Sequence, residues 1–196
     1  MLLLRTADGG LTWTALKNPP HLEMGEASFA ASGTGIRCIN QKDVIICTGG
    51  IVSRLWTSHD KGENWITINT PIIQGQQTTG IFSFLKNDSR MTIVGGDFKN
   101  DTLCVKHNFY SDDDGGRSWM RPSAPTGGYR ECVEAVDHKI LLAAGPSGID
   151  ISRDNGELWQ IFSNEKGLHV VRKSRKGFLM LTAGAKGQLF LIHKID

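Results

Sequence analysis

The 196-residue chain has only two tyrosines, and no apolar stretch long enough to cross a membrane as a helix. Its four cysteines, Cys38, Cys47, Cys104 and Cys132, form no CxxC pair and have no histidine at metal-ligand spacing. The histidines are scattered, with none at HxH or i, i+4 spacing, so no metal site is predicted. No glycine-rich fingerprint opens a helix and no haem-attachment motif occurs, so no cofactor is expected. The opening "MLLL" is too short for the core of a secretion signal, and nothing in the chain as written is expected to export it. A net charge of +2 is too small to imply a nucleic-acid partner.

What remains is ordinary globular composition, 39% hydrophobic and 21% charged, which excludes disorder. The cysteines read as small strand hydrophobes, although Cys38 and Cys47 flank a predicted hairpin at 40–43.

The informative feature is a box that recurs along the chain: "TADGGLTW" (6–13), "SHDKGENW" (58–65), "YSDDDGGRSW" (110–119) and "SRDNGELW" (152–159). Aligned on tryptophan, each places an aspartate (Asp8, Asp60, Asp114, Asp154), then a glycine (Gly10, Gly62, Gly116, Gly156), then Trp13, Trp65, Trp119 or Trp159. The spacing of roughly 40–50 residues is that of propeller blades, each one four-stranded sheet. Such a box builds a turn: Ser, Thr or Asp side chains accept backbone N–H groups, and glycine supplies a positive φ. The tryptophan then returns the chain to a strand. A calcium loop is disfavoured, because it needs further oxygen ligands and a distal glutamate, and three boxes carry one aspartate each. In the third box, Asp112, Asp113 and Asp114 are expected to build the turn together.

Between boxes, runs of period two rich in β-branched residues predict strands, not helices. One unit reads 27–40, 43–50, 54–58 and 65–70; the next 80–85, 91–96, 108–112 and 119–122; the third 129–136, 139–145, 149–152 and 159–162. The ends, 2–6 with 12–16 and 168–173 with 178–184 and 188–192, supply incomplete units. The expected architecture is one all-β domain over 1–196, a β-propeller of four-stranded antiparallel blades with box turns. Its blades are 1–20 (partial), 21–72, 73–124, 125–164 and 165–196 (partial). Open blade edges are a possible route to self-association.

The boxes resemble the bacterial neuraminidase repeat, or Asp-box. Segments 25–36 ("GEASFAASGTGI"), 78–98, 128–136 ("GYRECVEAV") and 143–159 are similar to propellers of the photosystem II stability/assembly-factor group, often labelled "oxidoreductase" in non-photosynthetic bacteria. That resemblance implies a non-catalytic scaffold or binding module binding a protein or small ligand at the propeller axis. It also implies a chain matching the C-terminal part of a normally exported seven-bladed ring. Matched to the family's segments, the candidate axial residues are Glu26, Asp97, Tyr129 and Arg130, with His169 at the equivalent start of the last unit.

The alternative is a sialidase-like glycoside hydrolase, which needs an arginine cluster and a tyrosine nucleophile activated by a glutamate. Tyr129, followed by Arg130, Glu131 and Glu134, is the one tyrosine near an inner strand, but alternation aims Tyr129 and Arg130 at opposite faces. Literal redox chemistry has no motif to support it. Finally, "RKSRK" (172–176) is basic at four of five positions, predicting a solvated hairpin, with an anionic partner as the alternative.

Overall fold

Strand-forming runs broken by glycine and asparagine turns give a computed structural model made almost wholly of short strands, and it describes residues 1–112, 114–193 and 195. In chain order these are β1 (Leu4–Arg5), β2 (Thr14–Ala15), β3 (Glu26–Ala27), β4 (Ile36–Cys38), β5 (Val44–Cys47), β6 (Gly49–Gly50), β7 (Arg54–Ser58) and β8 (Ile66–Asn69). They continue with β9 (Thr79–Asn87), β10 (Arg90–Asp97), β11 (Asn108–Ser111), β12 (Cys132–Ala135), β13 (Leu141–Gly145), β14 (Gly148–Ser152) and β15 (Gln160–Ser163). The last are β16 (Leu168–Lys173), β17 (Met180–Gly184) and β18 (Leu189–Ile192), with one 3-10 turn at Ala185–Gly187. Among the described residues no helix is long and apolar enough to cross a membrane.

The strands pair antiparallel in sheets β1-β2, β4-β5-β7-β8, β11-β10-β9-β6-β3, β12-β13-β14-β15 and β16-β17-β18. The protein is an all-β partial propeller of four-stranded blades. Two details depart from the strand pattern read in sequence. The run 27–40 is not one inner strand: β3 and β6 leave their own blade and extend the next one through the Gly49–Gly80 pair. Glycines permit this, since a Cβ on Gly80, at φ +134, would fall 2.4 Å from the Gly49 Cα. The third blade's outer strand shrinks to a single bridge between Tyr110 and Met120, in a segment where Pro122 and Pro125 offer no N–H for a longer ladder.

Blades pack face to face. Leu55, Ile81, Phe84, Ile93 and Phe109 fill one seam; Leu85, Val94, Val133, Leu141 and Trp159 the next; Leu142, Ile149, Ile151, Leu168 and Val171 the last. The neighbours Phe84 and Leu85 serve different seams because successive strand side chains point to opposite faces. The innermost strands converge on a common axis. Arg37 of β4 passes the third blade's edge to donate to Phe84 O (2.7 Å) and Val133 O (2.8 Å). Glu134 of β12 accepts both Arg37 (3.3 Å) and Arg172 of β16 (3.0 Å).

The boxes share one hydrogen-bond scheme in three of four cases. In the second, the Ser58 hydroxyl donates to Asp60 Oδ1 (2.8 Å) and accepts Gly62 N–H (2.8 Å), while Asn64 N–H reaches Asp60 Oδ1 (2.9 Å). The indole of Trp65 donates to Gly62 O at 3.1 Å. Thr6, Asp8, Gly10 and Trp13, and Ser152, Asp154, Gly156 and Trp159, repeat these contacts. The box glycine also lies where the preceding blade approaches: a Cβ on Gly62 would fall 2.8 Å from Leu16.

The third box carries one residue more, and the expectation for its three aspartates is corrected. Ser111, not Asp112, donates to Asp114 Oδ1 (2.7 Å), and Asp114 gathers the N–H groups of Gly116, Arg117 and Ser118. Asp112 turns away to pair with Arg90, which also meets Glu157 at 2.9 Å. Asp113 lies outside the described residues. Trp119 donates to Asn69 O of the preceding blade (3.2 Å) rather than to Gly116.

The box carboxylates carry a testable acid signature. Asp60 is held at about 2 by the side chain and N–H of Asn64 and by Ser58. Asp8 is held at about 2 by Thr12 and Thr6. A carboxyl lowered in the folded state stabilises above its unfolded value near 3.8 and loses that contribution as pH falls through about 2. We expect Asp60→Ala to lower the urea midpoint at pH about 7, and the gap from wild type to shrink as pH approaches about 2. An unchanged midpoint at neutral pH would reject the structural role of the box.

Among the described residues the first sheet, β1-β2, and the last, β16-β17-β18, share no strand pair. Leu189, Phe190 and Leu191 of β18 are exposed, and Trp13 is 58% exposed where Trp159 is 3%. Of the box tryptophans only Trp159 is fully buried; Trp65 and Trp119 are half-buried and Trp13 is exposed.

Candidate functional site

The axial candidates divide sharply by what their side chains do. Glu26 is buried, and its carboxylate is saturated: it accepts Arg54 Nε (3.0 Å) and Nη2 (2.7 Å), Thr48 Oγ1 (2.6 Å), Trp56 Nε1 (3.0 Å) and Glu23 N–H (2.9 Å). Arg54 also lies over the Trp56 ring, 4.7 Å from its centroid. Arg130 is equally enclosed, at 3% exposure. Its Nε meets Asp150 Oδ2 at 2.6 Å, and Nη1 donates to Tyr129 O and Ser147 Oγ at 2.8 Å. Asp97 closes a turn, accepting Lys99 N–H at 3.0 Å. Glu26 and Arg130 spend their charges on partners within the fold, whereas Asp97 is half-buried with its charge partly open.

Tyr129 and His169 are different, and Glu131 joins them. Strand alternation from Tyr129 returns to the same side at Glu131. That carboxylate, just ahead of β12, pairs with His169 Nδ1 of β16 at 2.8 Å and lies close enough to the Tyr129 hydroxyl to influence its ionisation. Burial raises the Glu131 pKa, opposed by His169 and Tyr129. Burial, with the Glu131 charge beside it, drives the Tyr129 hydroxyl far above its ordinary value.

The Tyr129 ring continues into an aromatic cluster. Phe82 meets it edge to face at 4.7 Å, Phe29 stacks on Phe82 at 4.1 Å, and Phe98 stands edge-on to Phe29 (6.4 Å) and Phe82 (6.1 Å). Phe98 is 45% exposed and the His169 side chain 39%, so an apolar and a polar group emerge on one face of the arc. Glu131 entered the sequence reading only with the hydrolase alternative, and the phenylalanines not at all. The i, i+2 relation to Tyr129 is a signal for Glu131; the phenylalanines come from three separate segments and have none.

Two grooves lie elsewhere. One of about 760 Å³ runs between the first and second sheets, past Leu4, Leu16, Ile36 and Trp65. The other, about 400 Å³, lies between β15 and the last blade, along Phe162, Leu168 and Phe190. Both are lined by polar residues of two neighbouring blades only, the first by Arg5 and Thr6 with Asp60, Lys61 and Glu63. Among the described residues no group of three His, Cys, Asp or Glu side chains is placed to hold a metal ion. Cys38 and Cys47 are unbridged.

No family model matches the chain, and no curated protein matches it. Among solved structures it is similar to YCF48 bound to D1 peptide, at 16% identity and TM-score 0.49 over 82% of this chain and 53% of that one. It therefore spans about half the length of that protein. It is also similar to YCF48 from Cyanidioschyzon merolae, at 15% identity and TM-score 0.46, over 98% and 74% of the two chains. A GH74 xyloglucanase from Xanthomonas campestris gives 11% and 0.46, over 88% and 31%. With TM-scores below 0.5, these similarities assign no ligand, partner or activity to the chain.

Proposed function

We propose that the protein is a non-catalytic propeller-type binding module whose contact surface is the axial face where Phe98 and His169 emerge, backed by the buried Tyr129 and Glu131. The observation that carries this reading is the convergence of these groups from different blades, with Phe98 and His169 left exposed. An apolar platform beside a hydrogen-bonding pair suits a peptide segment or small ligand that combines an apolar and a polar group.

The hydrolase alternative has one feature in its favour, a tyrosine with a glutamate charge beside it. Its environment runs the wrong way for catalysis. A nucleophile needs access and a lowered pKa, whereas Tyr129 is 1% exposed and its hydroxyl pKa is raised. The arginines near the axis are occupied: Arg130 by Asp150, Arg54 by Glu26, Arg37 by backbone carbonyls. Incubation with a fluorogenic sialoside is expected to give the same negligible release for wild type and Tyr129→Phe. Turnover abolished by Tyr129→Phe would replace the binding reading with the hydrolytic one.

A further inference from the structure

The β16–β17 hairpin has a composition that the axial reading leaves unused. Its base is fixed: Lys173 pairs with Met180 in register, Ser174 N–H donates to Leu179 O at 2.8 Å, and Val171 and Met180 are buried in the last seam. Beyond that closure the loop projects, turning at Gly177 with φ +80. Phe178 at its tip is 93% exposed and Leu179 53%. Arg175 and Lys176 precede them, exposed and without an ion pair among the described residues. Arg172, at the strand end below, is half-exposed and shares Glu134 with Arg37.

Cations alone would be an ordinary solvated turn. A phenylalanine presented almost fully to solvent beside a half-exposed leucine is not, because the fold leaves the Phe178 ring uncovered. An interface of anionic phospholipids takes both kinds of group at once. Headgroup charge attracts the basic side chains, and the shallow acyl boundary receives the aromatic and aliphatic tip. A free polyanion would use the charges and leave Phe178 in water.

We propose that the 172–179 hairpin is a membrane-surface contact specific for anionic phospholipid, with Arg175 and Lys176 engaging headgroups and Phe178 and Leu179 inserting between them. It tethers the module peripherally and leaves the axial face free. This assignment does not depend on the axial reading.

The test is flotation of the full chain with vesicles of phosphatidylserine and phosphatidylcholine in equal parts, against phosphatidylcholine alone, with heparin as a lipid-free polyanion. The expected result is binding to the mixed vesicles only, weakened by salt. Arg175→Ser/Lys176→Ser should reduce partitioning on the order of 25-fold, at about fivefold per charge. Phe178→Ser should reduce it by roughly tenfold, with unaltered melting, because the ring is 93% exposed, and Phe178→Ser/Leu179→Ser should reduce it further. Equal binding by the Phe178→Ser/Leu179→Ser variant, or equal retention on heparin, would make the hairpin a polyanion site and overturn the proposal. So would absence of binding to the mixed vesicles, or binding that survives loss of both charges.

Discussion

Asp150→Ala is expected to destabilise the protein by about 3–5 kcal/mol, the cost of leaving a buried charge without its partner. Arg130 and Asp150 are 3% and 1% exposed, and their Nε–Oδ2 distance is 2.6 Å. Removing the carboxylate strands the guanidinium and also orphans the Gly127 N–H, which donates to Asp150 Oδ2 at 3.1 Å. Arg130 keeps Tyr129 O and Ser147 Oγ, which limits the loss but does not neutralise the charge. For a chain of this size the change corresponds to a melting-temperature drop on the order of 10 °C. A urea titration that moves the midpoint at constant slope would show lost stability without a change in the unfolded state. A loss below about 1 kcal/mol would mean that the pair does not hold the 127–130 segment, on which Tyr129 sits.

Glu26→Ala comes next, at about 3 kcal/mol, the lower end of the same range. Its side chain is fully enclosed, whereas Arg54 retains a second partner in Glu23 at 3.1 Å, itself 59% exposed. The effect also depends on pH. Burial would raise the Glu26 pKa, but Arg54, Thr48, the Glu23 N–H and Trp56 outweigh it, so the pKa is lowered. A group lowered in this way stabilises the fold above its unfolded value of 4.5, and that contribution disappears as pH falls through its folded value. The difference between wild type and Glu26→Ala should therefore be full at neutral pH and diminish in acid. Equal differences at pH about 7 and about 3 would mean that the cost arises from lost packing and not from the ion pair.

These two sites show where sequence reading reaches its limit. The repeat of aspartate, glycine and tryptophan is local, so both the turns and the all-β blade architecture were legible from spacing and alternation. Position alone could place Glu26 and Arg130 near the inner strands, but not reveal that each is consumed by a partner more than fifteen positions away, Arg54 or Asp150. The same blindness affected the third box, where one inserted residue moves the hydroxyl role from Asp112 to Ser111 and frees Asp112 for Arg90. The strand exchange that carries β3 and β6 into the next blade rests on close approach at Gly49 and Gly80, a relation between distant glycines that no local pattern contains. The aromatic cluster is likewise tertiary: Phe29, Phe82, Phe98 and Tyr129 meet only because the inner strands converge.

The most direct test of the axial surface is a peptide-display selection on the full chain, reading each enriched peptide by its affinity for wild type and for a Phe98→Ser/His169→Ala variant. Phe98 packs against Phe29 and Phe82, and His169 pairs with Glu131, so affinities are compared at a temperature where melting curves show both proteins folded. The account predicts that enriched peptides bind wild type and lose at least tenfold, about 1.4 kcal/mol, on the variant. Peptides that bind both proteins equally would contradict it, and would place the binding surface of this propeller elsewhere.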